Sequence, residues 1–228
     1  VLHAFVDSRT DLWQFTIDEL SLWIERAAAA RSNPLQLPES NQTYMRFCRL
    51  LAKRTAEMHL ALMGPPGSNF APEQFNHFSL RGACHAMESR AEIVRQALIN
   101  RAPEQIASLD GLDSVLDGLQ RVRDVFANIT TLADPGVRIR CHGDFHLGQV
   151  LHTGDDLVFI DFEGDNSRPL ADRLIKASPL VDVAAMLQSL RYAATSIAFD
   201  STAGDFVWRG RVTEKRRWVQ RWFETASP

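Results

Sequence analysis

The sequence predicts a mainly helical fold with one small β insert, and three observations carry that reading. Through the first 136 residues apolar side chains recur every three or four positions, the spacing that lines one face of an α-helix. At Val137 the period drops to two, as on a half-buried strand. After Ser178-Pro179 the helical period returns. These changes divide the chain into a helical part, 1–136, an insert, 137–165, and closing helices, 166–228, all read as parts of one lobe.

The first helix is expected to open at Thr16, with Glu19 completing a capping box, and to carry Ile17, Leu20, Ile24 and Ala27 or Ala28 up to the breaker Asn33-Pro34. A second should follow Ser40-Asn41 and bury Phe47, Leu50 or Leu51, Met58 and Leu62. It stops at Gly64-Pro65-Pro66-Gly67, where two prolines cannot continue it. Residues 80–100 and 112–132 give two more helices, parted by a loop around Pro103 and Asp110-Gly111 and closed by Asp134-Pro135-Gly136. In the insert, Val137, Ile139 and Cys141 alternate with Arg138 and Arg140 as a strand. Residues 149–152 and 157–162 are two further strands around the turn Thr153-Gly154-Asp155-Asp156. Ser178 then caps a helix with Pro179 in its first turn, whose expected buried stripe is Leu180, Val183, Ala184, Leu187 and Leu190. Trp208, Trp218 and Trp222 read as anchors of a terminal helix, with stacking on a sugar ring as the alternative.

Composition narrows the function. At 45% apolar and 23% charged residues, the chain is neither disordered, collagen-like nor coiled coil. With 25 basic against 28 acidic residues the net charge is −3, so there is no electrostatic footprint for nucleic acid or an anionic membrane. Three widely separated cysteines supply neither a disulfide framework nor a CxxC metal site and point to a reducing compartment. No apolar run approaches the ~20 residues of a membrane span, and the first residues lack a secretory signal, so the protein reads as cytoplasmic. The chain starts without Met and ends in a charged, aromatic stretch, and so reads as a piece of something longer.

Polar residues crowd into the insert, in His142-Gly143-Asp144-Phe145-His146-Leu147-Gly148-Gln149 and again in Asp161-Phe162-Glu163-Gly164. Phosphoryl transfer asks for a carboxylate that orients the attacking hydroxyl and accepts its proton, plus oxygen ligands that hold Mg²⁺ on the nucleotide phosphates. In protein kinases the catalytic-loop Asp precedes a metal-binding Asn by five residues, and a second Asp follows on a later strand. Here Asp144 precedes Gln149 by five, and Asp161 follows 17 residues after Asp144. His142 and His146 would form a zinc pair only on a helix, which Gly143 opposes. His59 and His85 lie in helical stripes and read as ordinary core or surface histidines.

The loop resembles that of the aminoglycoside phosphotransferase and choline kinase group, HGDxHxxN. It is more similar still to maltokinases, with HGDxHLGQ followed by DFEGE and SPLRDVAGM. This chain reads HGDFHLGQVL, FIDFEGD and RPLADRLIKASPLVDVAAML, and DLWQFTIDEL, RTAEMHLAL and FAPEQF upstream also look like the helical part of maltokinases. The resemblance implies a protein-kinase-like fold of which the chain is the C-terminal lobe only, mainly α, with the catalytic loop on the β insert. It implies Asp144 as catalytic base, Gln149 and Asp161 as metal ligands, and His142 and Asp182 as supports of the loop. His146, Glu163, Asp165, Arg191 and Tyr192 would face the acceptor sugar. ATP and Mg²⁺ are the implied cofactors, and the implied reaction phosphorylates maltose at its anomeric hydroxyl. A kinase of another sugar or amino sugar would share this loop, and a non-catalytic helical partner module is the reading outside enzymes.

The chain departs from the maltokinase pattern at Asp165-Asn166, Val181 and Ala185, which bears on sugar preference more than on chemistry. Lys53, Lys176 and Lys215 are its only lysines, and none is placed as the strand lysine of a kinase N-terminal lobe. That lobe is expected outside the chain, which alone should fold yet turn over negligibly. The implied partners are therefore the sugar, ATP, the missing N-terminal lobe and trehalose synthase, to which maltokinases also occur fused.

Overall fold

The computed structural model describes residues 5–29, 42–105, 112–199 and 212–226. Two compact units divide the chain, one of residues 1–72 and 139–228, the other of 73–138. The elements are, in order, β1 (Thr10–Asp11), α1 (Leu12–Ala29), α2 (Gln42–Ala61), β2 (Glu73–Gln74), α3 (His77–Gln105), α4 (Leu112–Ile129) and β3 (Val137–Arg138). There follow β4 (Val150–His152), β5 (Leu157–Phe159), α5 (Leu170–Arg173), α6 (Leu180–Phe199) and α7 (Val212–Ala226).

In the larger unit β1, β4 and β5 form one antiparallel sheet, with Thr10 opposite His152 and Val150 opposite Phe159. The expected turn joins β4 to β5: the Thr153 amide donates to the Asp156 carbonyl at 3.0 Å, and Gly154 takes φ 104°, which favours glycine. Both carboxylate oxygens of Asp156 accept from Arg54 of α2, at 2.8 and 2.6 Å, tying the hairpin to that helix. Two residues of β1 carry no readable period, so that strand is invisible in the sequence.

The start of α1 corrects the capping expectation. Asp11, not Thr16, caps it, its Oδ1 accepting from the Gln14 amide at 2.8 Å. Thr16 lies fully buried inside the helix, where its hydroxyl donates to the Leu12 carbonyl at 2.6 Å and meets the Tyr44 hydroxyl at 2.9 Å. A hydroxyl that bonds back one turn is content in a helix interior, so a Thr–Glu spacing alone does not mark a start.

The core of this unit gathers Leu20, Trp23 and Ile24 of α1, Tyr44, Leu51 and Met58 of α2, and Met186, Leu190 and Ile197 of α6. Trp218 and Trp222 of α7 are fully buried, and Trp218 meets Trp23 edge-on at 5.1 Å. Trp208 and the breakers Asn33-Pro34, Ser40-Asn41 and Asp110-Gly111 lie outside the described residues. α6 is rotated from its expected face: Leu180, Val183 and Leu187 are exposed, and Asp182, Met186, Leu190, Ala193, Ala194 and Ile197 are buried. Among the described residues no helix is long and apolar enough to cross a membrane.

In the smaller unit Glu73 pairs with Arg138 across β2 and β3, and the two side chains meet at 2.7 Å. α3 begins at His77, three residues before the expected start. Asn76 and Ser79 cap it reciprocally, each side-chain oxygen accepting from the other's amide. It runs past Pro103 to Gln105, since a proline in a last turn forfeits one backbone bond only. α3 packs on α4, where the buried Cys84 thiol lies 3.2 Å from the Phe126 carbonyl. The strand expected over 137–141 is thus shorter. Only Val137 and Arg138 form one, while Ile139 makes a single bridge to Ala177 in the larger unit.

Candidate active site

The polar loop is fastened to α6 by its own amides. Asp182 accepts from the His142 amide on Oδ2 at 2.9 Å and from the Gly143 amide on Oδ1 at 3.0 Å. Its Oδ2 also takes a bond of 3.0 Å from His59 Nε2 of α2. Burial alone would raise this carboxyl, which is 1% exposed. The bonds from His59, Gly143 and His142 outweigh that effect and hold its pKa below the ordinary value. A carboxylate only accepts, so His59 Nε2 carries the proton. Seven residues on, two turns along the same face of α6, Ser189 Oγ accepts from the Leu147 amide at 3.1 Å.

His142 is buried within the loop. Its Nε2 donates to the Ile160 carbonyl at 2.8 Å, which leaves Nδ1 to accept from the Asp144 amide at 3.4 Å. Its ring packs between Phe145 and Phe162. Gly143 has φ 83°, and a Cβ there would come within 3.3 Å of Gly164 Cα. No other residue fits that position without strain.

Three carboxylates surround this loop. Asp144 is half-buried and its Oδ2 lies 3.9 Å from His146 Nε2. His146 Nδ1 accepts from the Gly148 amide at 3.1 Å, so the neutral ring holds its proton on Nε2, toward Asp144. Gln149 Nε2 donates to Asp161 Oδ2 at 3.1 Å. The strand expected over 157–162 ends at Phe159, because Asp161 turns left-handed at φ 62°, alone among the described non-glycine residues. That conformation costs about 1–2 kcal/mol. Glu163 is exposed, and its carbonyl accepts from Arg173 at 3.2 Å.

The remaining expected site residues are spread more widely. Asp165 shapes a turn, its Oδ1 accepting from the Ser167 amide at 2.9 Å. Tyr192 stands 64% exposed in a cleft of about 510 Å³ that Trp13, Asp144, Phe145, His146, Gln188 and Ser189 also line. Arg191 faces a separate depression of about 350 Å³, lined by residues of α6 and α7 that include Phe199 and Arg216. The structure therefore gathers Asp144, His146 and Tyr192 at one cleft and pairs Gln149 with Asp161, while Arg191 stands elsewhere.

Sequence reasoning missed His59, Ser189, Trp13 and Gln188. Two of these left a signal. Ser189 sits two turns from Asp182, and His59 falls eight residues after Leu51, on the face of α2 that buries Leu51, Thr55 and Met58. Cys141 borders the loop, but burial and the Asp182 charge push its thiol up to about 12, so it stays protonated and is no nucleophile. No group of three or more His, Cys, Asp or Glu suited to a metal occurs among the described residues. Gln149 turns its Nε2 toward Asp161; between them the two side chains carry an amide oxygen and a carboxylate, the hard donors that a small cation keeping waters and phosphate oxygens in its shell would take.

A model of the Phosphotransferase enzyme family (APH) matches residues 10–205. The glucosamine kinase of Streptacidiphilus jiangxiensis is 31% identical over 98 residues, 42% of this chain and 22% of that protein. The glucosamine kinase of Mycolicibacterium smegmatis is 41% identical over 85 residues, 36% of this chain and 21% of that one. A solved glucosamine kinase in complex with glucosamine, ADP and inorganic phosphate aligns with a TM-score of 0.61 at 22% identity, covering 95% of this chain and 48% of that one. This chain thus spans less than half the length of each of these proteins, and the structural likeness establishes a kinase-like fold.

Proposed function

The chain belongs to the phosphotransferase enzyme family, and from that premise we propose that it is the catalytic lobe of an ATP-dependent sugar kinase whose acceptor is an amino sugar. One observation carries the reading. Asp144 lines a cleft on a loop whose amides are clamped by a buried carboxylate, and Gln149, five residues on, bonds Asp161. A sugar hydroxyl seated in that cleft meets Asp144, which orients it and takes its proton as the bond from its oxygen to the γ-phosphorus of ATP forms and the bond from that phosphorus to the bridging oxygen breaks, releasing ADP. His146 Nε2 lies 3.9 Å from the same carboxylate. Trp13 and Tyr192, with ring centroids 5.8 Å apart, offer flat faces to a pyranose. The glucosamine kinase relatives favour an acceptor that carries an ammonium group, and Asp144 is the carboxylate that lines the cleft.

Gln149 and Asp161 would hold Mg²⁺, which supplies charge neutralisation on the nucleotide phosphates. A nucleotide-covering lobe with a strand lysine is part of the proposal. In this chain Lys53 lies in α2, Lys215 in α7, and Lys176 donates to the Ala71 carbonyl at 2.7 Å. Maltose is the second reading, favoured by HGDFHLGQ and FIDFEGD, which resemble the maltokinase motifs.

The test is phosphoryl transfer by the complete protein to glucosamine and to maltose. The expected result is a kcat/KM for glucosamine at least about tenfold above that for maltose. The reverse order selects the second reading, and transfer to no sugar removes both. For the metal, Asp161→Ala loses a charged ligand and Gln149→Ala a neutral one. The Mg²⁺ concentration at half-maximal activity should rise by about tenfold or more in the first and by less in the second. Equal Mg²⁺ requirements in both variants and the parent would dismiss the pair as ligands.

A further inference from the structure

We propose that the smaller unit pairs with a second copy of this chain through α4, antiparallel and about a two-fold axis. The helix fully buries none of its residues. Half-buried Leu116, Leu119 and Phe126 share one side, and α3 packs on the helix with Cys84 against the Phe126 carbonyl. About a quarter turn round lies a second apolar stripe: Val115, Val122 and Val125, 52, 37 and 60% exposed. Steps of seven and three residues make the seam of a helix pair. Gly118 stands inside that stripe. A mid-helix glycine weakens its helix relative to alanine, and among the described residues nothing asks for it, since a Cβ there would meet only Arg121 Nη2, at 3.9 Å. In the pair the missing side chain leaves a notch between Val115 and Val122, and Val122 of the second copy fills it.

Charge selects both the occupant and its direction. Asp117 and Arg121 flank the stripe on the side away from α3, both exposed, and neither meets an opposite charge among the described residues. Antiparallel helices crossing near residue 120 set Val115 against Val125 and Gly118 against Val122. They also bring the Asp117 of each copy beside the Arg121 of the other, closing two equivalent ion pairs. A parallel pair would set Asp117 on Asp117 and Arg121 on Arg121. A surface complementary to itself is what a two-fold contact requires, and a foreign partner does not account for it. One helix pair covers less than the ~1,200 Å² of a standard interface, so the dimer is transient, with a Kd of about 10–100 µM.

Sedimentation equilibrium of the complete protein from about 5 to 500 µM tests the pairing. The parent should pass from monomer to dimer across that range, and Val122→Asp should weaken association about tenfold or more. Asp117→Arg and Arg121→Asp should each weaken it about three- to tenfold. The double variant, which exchanges the two charges and keeps them complementary, should return the parental Kd within about twofold. None of these side chains lines the Asp144 cleft, so kcat should hold in every variant, and the pairing does not depend on the sugar-kinase reading. A parent that stays monomeric at the highest concentration overturns the proposal, whether α4 is then bare or covered by another lobe. A dimer indifferent to Val122→Asp uses another face and overturns it too. If Val122→Asp loses its helical circular dichroism, the charge pair decides, and two weakened single variants with no recovery in the double overturn the antiparallel contact.

Discussion

Asp144→Asn in the complete protein is expected to lower kcat for sugar phosphorylation by about 10²–10⁴-fold, with the KM values for sugar and nucleotide nearly unchanged. Asparagine matches aspartate in shape and is neutral, so it can neither accept the proton of the attacking hydroxyl nor favour charge there. That interaction is strongest in the transition state, which is why the loss falls on kcat. The fold should not notice. Asp144 is half-buried, its amide still reaches His142 Nδ1, and the loop remains held by Asp182. Steady-state kinetics and a melting curve of the same preparation check the claim. Near-parental turnover would remove Asp144 from the chemistry, and a collapsed melting transition would make its role structural.

Asp182→Ala should be the costliest single change to stability at the site, about 3–5 kcal/mol at neutral pH. It strands three donors at once, two loop amides and His59 Nε2, and each buried donor left unpaired costs about 1–3 kcal/mol. Acid should narrow the difference. The folded pKa of Asp182 lies below its ordinary value, so its contribution is complete above the unfolded value near ~4 and fades as pH falls through the folded pKa. Denaturant unfolding of parent and Asp182→Ala at pH 7, and in steps from about pH 4.5 downward, should show a gap that narrows. A constant gap across that range would mean that ionised Asp182 is not what holds the loop.

The proposed catalytic and metal-binding residues were legible because they are close in the chain. Asp144, Gln149 and Asp161 fall within a short stretch whose spacing is itself the motif, and the turn between β4 and β5 announces itself through Gly154 and Asp156. The face of α6 was misread for a definite reason. Apolar counting assumes that carboxylates look outward, yet Asp182 is the most deeply placed group at the start of that helix because three donors compensate it. Thr16 deceived in the same way, a polar side chain satisfied inside a helix.

By itself, then, the sequence placed Asp144 and Gln149 on one polar segment and Asp161 just beyond the following hairpin, which is the basis of the proposed roles. It also determined the helical period around them. Only the tertiary structure decided what holds that loop, since His59 and Asp182 are 123 residues apart and Leu147 and Ser189 are 42 apart. It likewise brought Trp13 and Tyr192 to the Asp144 cleft and sent Arg191 to another. Hydrogen bonds between distant segments have no local spacing to betray them. They exist because α1, α2 and α6 bury their apolar faces in one core, and that packing brings the polar partners within reach.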